Sequence, residues 1–186
     1  MSKPRVGRPR SERSREKIFE ATRALLAESE GANLSIEAIA RRAGVGKPTL
    51  YRWWPTLADL VLDVLLQQAD AEIDVPDTTD LQTDLRQFLR RSVMAIDAGA
   101  GAPLRFLMAQ AQRDEAFRAR FRENFTAKRR AVLRSIFERA VARGQLDATH
   151  APELLVDLVF GAMWYRLLTG HAALDDGFAV ALSDLM

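Results

Sequence analysis

Lys47, Thr49, Tyr51, Arg52 and Trp53 crowd into one short stretch of the chain, opened by Gly46 and Pro48. These are side chains that handle double-stranded DNA. Lysine and arginine neutralise phosphate, threonine and tyrosine hydroxyls donate to phosphate oxygens, and a threonine methyl or a proline ring can press on a thymine methyl. Ser35 and Thr56 stand where helices begin, so the backbone N–H groups there offer phosphates a favourable dipole end. A basic arm precedes all of these: Lys3, Arg5, Arg8, Arg10, Arg13, Arg15 and Lys17 against Glu12 and Glu16. Within it, Gly7-Arg8-Pro9-Arg10 is an extended, arginine-flanked segment whose shape suits a narrow minor groove.

Other chemistries find less support. The chain has no cysteine, which removes disulfides, zinc-cysteine and iron-sulfur sites, and its two histidines, His150 and His171, are too far apart for metal-ligand spacing. No acid, base and nucleophile set surrounds either histidine, so no catalytic residue and no cofactor is expected. Gly44-Val45-Gly46-Lys47 superficially resembles a phosphate loop, yet Arg41 stands where its first glycine is required, and Pro48 follows the lysine.

The positions of these residues require particular elements. Apolar side chains recur with helical spacing and strict alternation is missing, so the whole chain reads as all-α, with about nine helices. A first helix runs from about residue 11 to 28. Ser35 caps a second, whose Ile36, Ile39, Ala40 and Ala43 form one face before Gly44 stops it. A third short helix carries 48–54, and Thr56 caps a fourth with Leu57, Leu60, Val61, Val64 and Leu65 on its core face, ending near Asp74. Two short helices joined by a glycine turn make a helix-turn-helix candidate inside a three-helix bundle. Beyond a loop at 75–80, longer helices are expected over 81–97, 103–111, 114–142, 152–169 and 175–185. The organisation that follows is a basic arm (1–10), a helix-turn-helix domain (11–56) and a C-terminal domain (57–186).

Leu34-Ser35-Ile36-Glu37-Ala38-Ile39-Ala40, followed by Ala43-Gly44-Val45-Gly46-Lys47-Pro48-Thr49-Leu50-Tyr51-Arg52-Trp53-Trp54, resembles the DNA-binding domain of the TetR family. The resemblance covers about residues 11–65. It implies a homodimeric repressor that releases a palindromic operator when a small molecule binds the C-terminal domain. It also implies that Lys47, Pro48 and Thr49 read bases, that Tyr51 contacts phosphate, and that Trp54 packs into the bundle. Trp53 and Leu57 depart from the family pattern, which commonly has a polar or histidine side chain at the first position and often a basic one at the second.

The C-terminal half carries its own signals. Phe117, Phe121 and Phe125 form a stripe at i, i+4 and i+8 that either packs a core or lines a cavity. Phe88, Phe106, Met108, Phe125, Trp164 and Tyr165 are large, adaptable side chains expected around an apolar effector. Helix 152–169 is apolar nearly all round, which predicts burial on two sides: one against its own domain, the other against a second subunit. Leu155, Val159 and Met163, with Phe178, Leu182 and Leu185 of the last helix, are the expected dimer contacts. Lys128-Arg129-Arg130 with Arg134 could form a second nucleic-acid patch, but on a long helix such a run reads as a solvated face.

Charge supports the DNA reading. The net +2 conceals twelve Lys and Arg against six acids in residues 1–54, and three against nine in 55–104. With short apolar runs and no apolar segment behind the basic start, the chain is expected to be cytoplasmic and without a membrane partner. Two rivals remain: a helical ligand carrier or small enzyme, which leaves the basic arm and 44–54 without a use, and a non-specific DNA-compacting protein, which leaves the turn and its helix unexplained.

Overall fold

The computed structural model describes residues 12–29, 34–69, 77–147, 149 and 151–186. The basic arm with Arg5 and Arg8, the predicted end of the fourth helix near Asp74, and His150 lie outside these. Among the described residues the fold is all-α, and no helix is long and apolar enough to cross a membrane. Ten α-helical segments, α1 to α10, are joined at two places by π turns, leaving eight continuous helical runs where about nine were expected.

The first compact unit ends at Val64 and the second runs from Leu65 to Met186. In the first, α1 (Glu12–Ser29) packs on α2 (Ile36–Ala43), which packs on α3 (Lys47–Trp53), and α4 (Leu57–Ala69) begins. Ile18 and Phe19 of α1, Ile39 of α2, Leu50 of α3 and Leu60 and Val64 of α4 share one core with Trp54. The unit therefore ends inside α4, not before it as the 56/57 division supposed. The cause is that α4 commits its first two turns to this core. From Leu65 on, the same uninterrupted helix belongs to the second unit.

The second unit contains α5 (Leu81–Ala95), a first π turn (Ile96–Ala100), α6 (Gly101–Ala111), α7 (Glu115–Phe121), a second π turn (Arg122–Thr126), α8 (Ala127–Ala142), α9 (Pro152–Thr169) and α10 (Asp176–Asp184). Each start has a local cause. Asp80, Asp114 and Asp175 cap α5, α7 and α10 by accepting from the N–H of Thr83, Phe117 and Phe178, each at 2.9 Å. Pro152 opens α9, and Gly170, left-handed at φ 63°, closes it. Leu85, Leu89, Leu133, Phe137, Val156 and Val159 form the centre of the core, with α5 packed on α8 and α10, and α8 on α9. The expected 114–142 helix is continuous but contains the second π turn, whose wider turn shifts the register between Phe121 and Phe125. The expected break at 99–103 is a kink at Gly99, whose φ of 118° a side chain would disfavour.

Residues 77–80 are anchored to α8. Arg143 holds Asp77 through paired hydrogen bonds of 2.7 and 2.6 Å, and this guanidinium, with the Thr79 N–H, lowers the Asp77 pKa to about 2. A carboxylate depressed on folding adds stability that is complete above its unfolded pKa, near 3.8, and is lost as pH falls through about 2. The difference in urea midpoint between the wild type and Asp77→Asn should therefore be constant above roughly pH 5 and shrink towards zero near pH 2. A difference that persists undiminished at acid pH would assign the stabilisation to something other than this carboxylate.

Candidate DNA interface and effector cavity

The helix-turn-helix geometry is set by a few backbone demands. Ser35 Oγ accepts from the Ala38 N–H at 3.1 Å and starts α2. Gly44 ends it at φ 66°, ψ 36°, with the Val45 N–H donating to the Ala40 carbonyl at 3.0 Å. That left-handed residue turns the chain sharply enough for α3 to begin three residues later, with the Thr49 N–H donating to the Gly46 carbonyl at 2.9 Å. Pro48 fits the first turn because no intrahelical partner awaits an N–H there.

α3 buries Leu50 completely and turns Lys47, Pro48, Tyr51 and Arg52 outward, with Thr49 half-buried. Tyr51 keeps 53% of its surface exposed, a large value for an aromatic side chain. One short helix thus presents two cations, two hydroxyls and a proline ring, the set that contacts phosphates and base edges. Lys47 is engaged in the DNA-free chain: its Nζ lies 2.7 Å from Glu37 Oε1, and this contact lowers the Glu37 pKa. The Lys47 head must leave that carboxylate to reach a base.

The remaining predicted contacts are more constrained. Thr56 and Asp59 form a reciprocal cap at α4: the Asp59 N–H donates to Thr56 Oγ1 at 3.1 Å, and the Thr56 N–H to Asp59 Oδ2 at 3.2 Å. A carboxylate therefore already occupies the helix end assigned to phosphate. Trp53 is half-buried, its ring edge-on to Trp54 at 5.3 Å, and its Nε1 is buried with no hydrogen-bond partner among the described residues. Trp54 is buried, packs on Phe19 at 5.8 Å, and donates from Nε1 to Asp63 Oδ2 at 2.8 Å. Leu57 packs against the same core.

The second unit carries a cavity of about 340 Å³ that is partly open to solvent. Phe125 and Trp164, both expected there, line it. Four other expected residues do not. Phe88 sits behind the wall, its ring perpendicular to that of Phe160 at 6.0 Å, and Phe106 and Met108 are half-buried elsewhere. Tyr165 is 62% exposed and lies against the His171 ring, because one residue along α9 from Trp164 turns about 100° away. The wall also includes residues the sequence reading missed: Leu65, Gln67 and Gln68 at the end of α4, Ile96, Ala98 and Ala100 of the first π turn, and Ser92, Leu104, Arg129, Phe160 and Met163. Both helix irregularities thus border the cavity, with Phe125 in the second π turn. The glycines at 99 and 101 were the available signal, read only as a break.

Two further expectations are corrected. Leu155, Val159, Met163 and Phe178 are buried in their own protomer's core, and Leu182 packs against it, so they do not present a free dimer face; only Leu185 is exposed, at 81%. A helix apolar all round does not reveal which arc faces inward, and packing on α8 decides it. The outward arc of α9 is instead Leu154, Leu158, Gly161, Tyr165 and Leu168. Arg129, read as solvated, is buried in the cavity wall with its guanidinium 5.5 Å from the Phe125 ring centre; Arg130 next to it pairs with Asp157 at 2.5 Å and Glu153 at 2.8 Å.

A recognition helix presented by a small bundle, and a separate helical unit with an apolar cavity, define a class: DNA-binding regulators with a ligand-sized chamber. The comparisons agree. Residues 18–64 match the profile of the tetR family of bacterial regulatory proteins, and residues 75–186 match that of the Tetracyclin repressor-like C-terminal domain. The chain is 29% identical to the uncharacterized HTH-type transcriptional regulator YdeS of Bacillus subtilis, over 92% of this chain and 87% of that protein. It is 32% identical to the HTH-type transcriptional regulator AqdR of Rhodococcus erythropolis, over 86% and 76% respectively. Among solved structures, the TetR family transcription regulator SCO0332 superposes with a TM-score of 0.70 at 33% identity, covering 91% of this chain and 94% of that one. The chain belongs to the TetR family and is a DNA-binding transcriptional regulator of the helix-turn-helix type.

Proposed function

We propose that the protein is a homodimeric repressor that holds a palindromic operator and releases it when a small, mainly apolar effector enters the 340 Å³ cavity. The observation that carries this reading is α4. Its Leu60 and Val64 lie in the core that supports the recognition helix, and its Leu65, Gln67 and Gln68 line the cavity. A ligand that favours one placement of α4 changes the setting of α3, and the change in DNA affinity is bounded by the ligand's differential affinity for the two states. The chamber is bordered by two π turns, local departures from α-helical packing of a kind frequent at functional sites.

The dimer forms through the outward arc of α9. Leu154, Leu158, Tyr165 and Leu168 are each more than half exposed, and Gly161 leaves bare backbone in the middle of the stripe. An apolar stripe at helical spacing suits an isologous helix-pair interface. Two recognition helices then stand about 34–36 Å apart, one turn of DNA.

Lys47, Pro48 and Thr49 read bases, with Gly46 allowing close approach; Tyr51 and Arg52 contact phosphate, and Ser35, Trp53 and Thr56 flank the backbone, joined by the arm residues Arg5 and Arg8. Selection from random-sequence duplexes at physiological salt should recover a palindrome with half-sites about one turn apart. Lys47→Ala and Thr49→Ala should flatten the preference among selected sites by about 1–3 kcal/mol per contacted base pair. Tyr51→Phe should weaken all duplexes alike, and Arg8→Ala should do so with a smaller salt slope. Equal losses on every sequence from all four variants would remove the base-reading assignment, and tighter operator binding with the true effector would reverse the direction of the switch.

A further inference from the structure

Glu37 is the one acid between Leu34 and Trp54, a stretch that also holds Arg41, Arg42, Lys47 and Arg52. Phosphate repels an acid, so a carboxylate beside a DNA-reading helix calls for a reason. Glu37 lies in the first turn of α2 and Lys47 is the first residue of α3. The turn between the helices brings their side-chain ends together, with Lys47 Nζ 2.7 Å from Glu37 Oε1. The two side chains keep 51% and 54% of their surface, so both are accessible to another partner. The hydrogen bond from Lys47 holds the Glu37 carboxyl below the usual carboxylate range, and the group is charged at neutral pH. Wherever the Lys47 head meets the bases, a carboxylate oxygen is therefore within one hydrogen bond of that place.

We propose that Glu37 reads a base together with Lys47: on the operator the pair exchanges partners with a single G·C base pair, Lys47 donating to guanine O6 and N7 and Glu37 accepting from cytosine N4. This rests on the reading of Lys47 as a base contact, and adds to it a second residue and the identity of the base pair. When the Lys47 head leaves for a guanine, the carboxylate loses its cation on a surface that DNA dehydrates, a cost that only a hydrogen-bond donor offsets. In the major groove those donors are the cytosine N4 and adenine N6 amines. Cytosine is favoured because its partner guanine offers the departing lysine two acceptors, whereas thymine, the partner of adenine, offers only O4. Spacing agrees: guanine O6 and cytosine N4 are hydrogen-bonded to each other about 2.9 Å apart, close to the separation of the two side-chain ends. On duplexes without that base pair Lys47 stays with Glu37 and the acid faces phosphate, so the pair that favours the operator also disfavours other sequences.

Selection from random-sequence duplexes at physiological salt tests this with the full chain, comparing the wild type with Glu37→Ala, Glu37→Gln and Lys47→Ala. The wild type should recover one G·C pair in each half-site that Glu37→Ala and Lys47→Ala both relax. Glu37→Gln, whose amide pairs with adenine N6 and N7, should admit adenine in place of that cytosine. By titration, the preference for the recovered duplex over the same duplex with that pair changed to A·T should fall by about tenfold or more in Glu37→Ala, the value of a hydrogen bond to a charged group. Thermal melts confirm that the variants fold, since an exposed ion pair adds little to stability. If Glu37→Ala tightens every duplex alike and relaxes no position while Lys47→Ala still relaxes one, Glu37 is a repulsive charge and nothing more, and the proposal falls with the lysine reading intact. If Lys47→Ala relaxes no position either, the base contact of Lys47 is overturned as well. Relaxation of two different base pairs by the two variants would overturn the shared pair.

Discussion

Leu158→Arg should convert the protein to a monomer and weaken operator binding by more than about a hundredfold. Leu158 stands in the middle of the outward apolar arc of α9 and is 52% exposed, so the substitution introduces no strain within the protomer. In a two-fold interface the same position appears twice, and the variant sets two arginines close together in a desolvated contact. The loss of affinity is large because it is a loss of bivalency: with two linked half-site contacts the second is effectively intramolecular, worth about 10²–10⁴ in overall binding. Sedimentation velocity and operator titration read the two consequences separately, and an unchanged melting temperature shows that the fold is intact. A dimer that survives the substitution would remove this arc from the interface, whereas a monomer that still binds a full operator with wild-type affinity would remove the need for the dimer.

Trp54→Ala should destabilise the DNA-binding unit by about 3–5 kcal/mol, enough to unfold a small bundle. The indole fills the space beside Phe19 and Trp53 and is 4% exposed, so truncation leaves a cavity that a core drawn from four short helices cannot close. It also removes the donor to Asp63. Trp54→Phe separates the two contributions. It keeps most of the ring volume and removes only the N–H, for which a loss of about 1–3 kcal/mol is expected, a hydrogen bond to a charged group. Urea unfolding followed by far-ultraviolet circular dichroism measures both. Equal losses from the two variants would mean that the Asp63 contact, not packing, holds the residue.

These two residues differ in how far the sequence foretold them. Trp54 was legible as a core residue through the family resemblance of the stretch around it, and the local backbone demands of that stretch, Ser35 as cap, Gly44 as left-handed stop and Pro48 in a first helical turn, are each met in the structure. Of the five side chains that the sequence turns outward on this helix, Lys47, Tyr51 and Arg52 are exposed, whereas Thr49 and Trp53 are half-buried, Trp53 against the bundle core. The departures at Trp53 and Leu57 likewise have a visible outcome, for both side chains pack against the bundle core.

Leu158 belongs to the other kind. α9 has so little amphipathic contrast that Leu155 and Leu158 are equivalent in the sequence, and residue type alone does not say which of them is buried. Burial of Leu155, Val156 and Val159 against the rest of the second unit breaks that equivalence, and it is a property of helix placement, not of residue type. Arg129 is the sharpest instance. Lys128, Arg129 and Arg130 are indistinguishable as a basic run, yet successive residues on a helix point about 100° apart, so one faces solvent, one a cavity and one an acidic pair on α9. By itself the sequence determined the all-α class, most helix starts, the recognition helix and the family, because caps, turns and a contiguous motif act over a few residues. Only the tertiary structure decided which arc of α9 is free, where α4 passes from one unit to the other, and which arginine enters the cavity, because those depend on contacts between helices far apart in the chain.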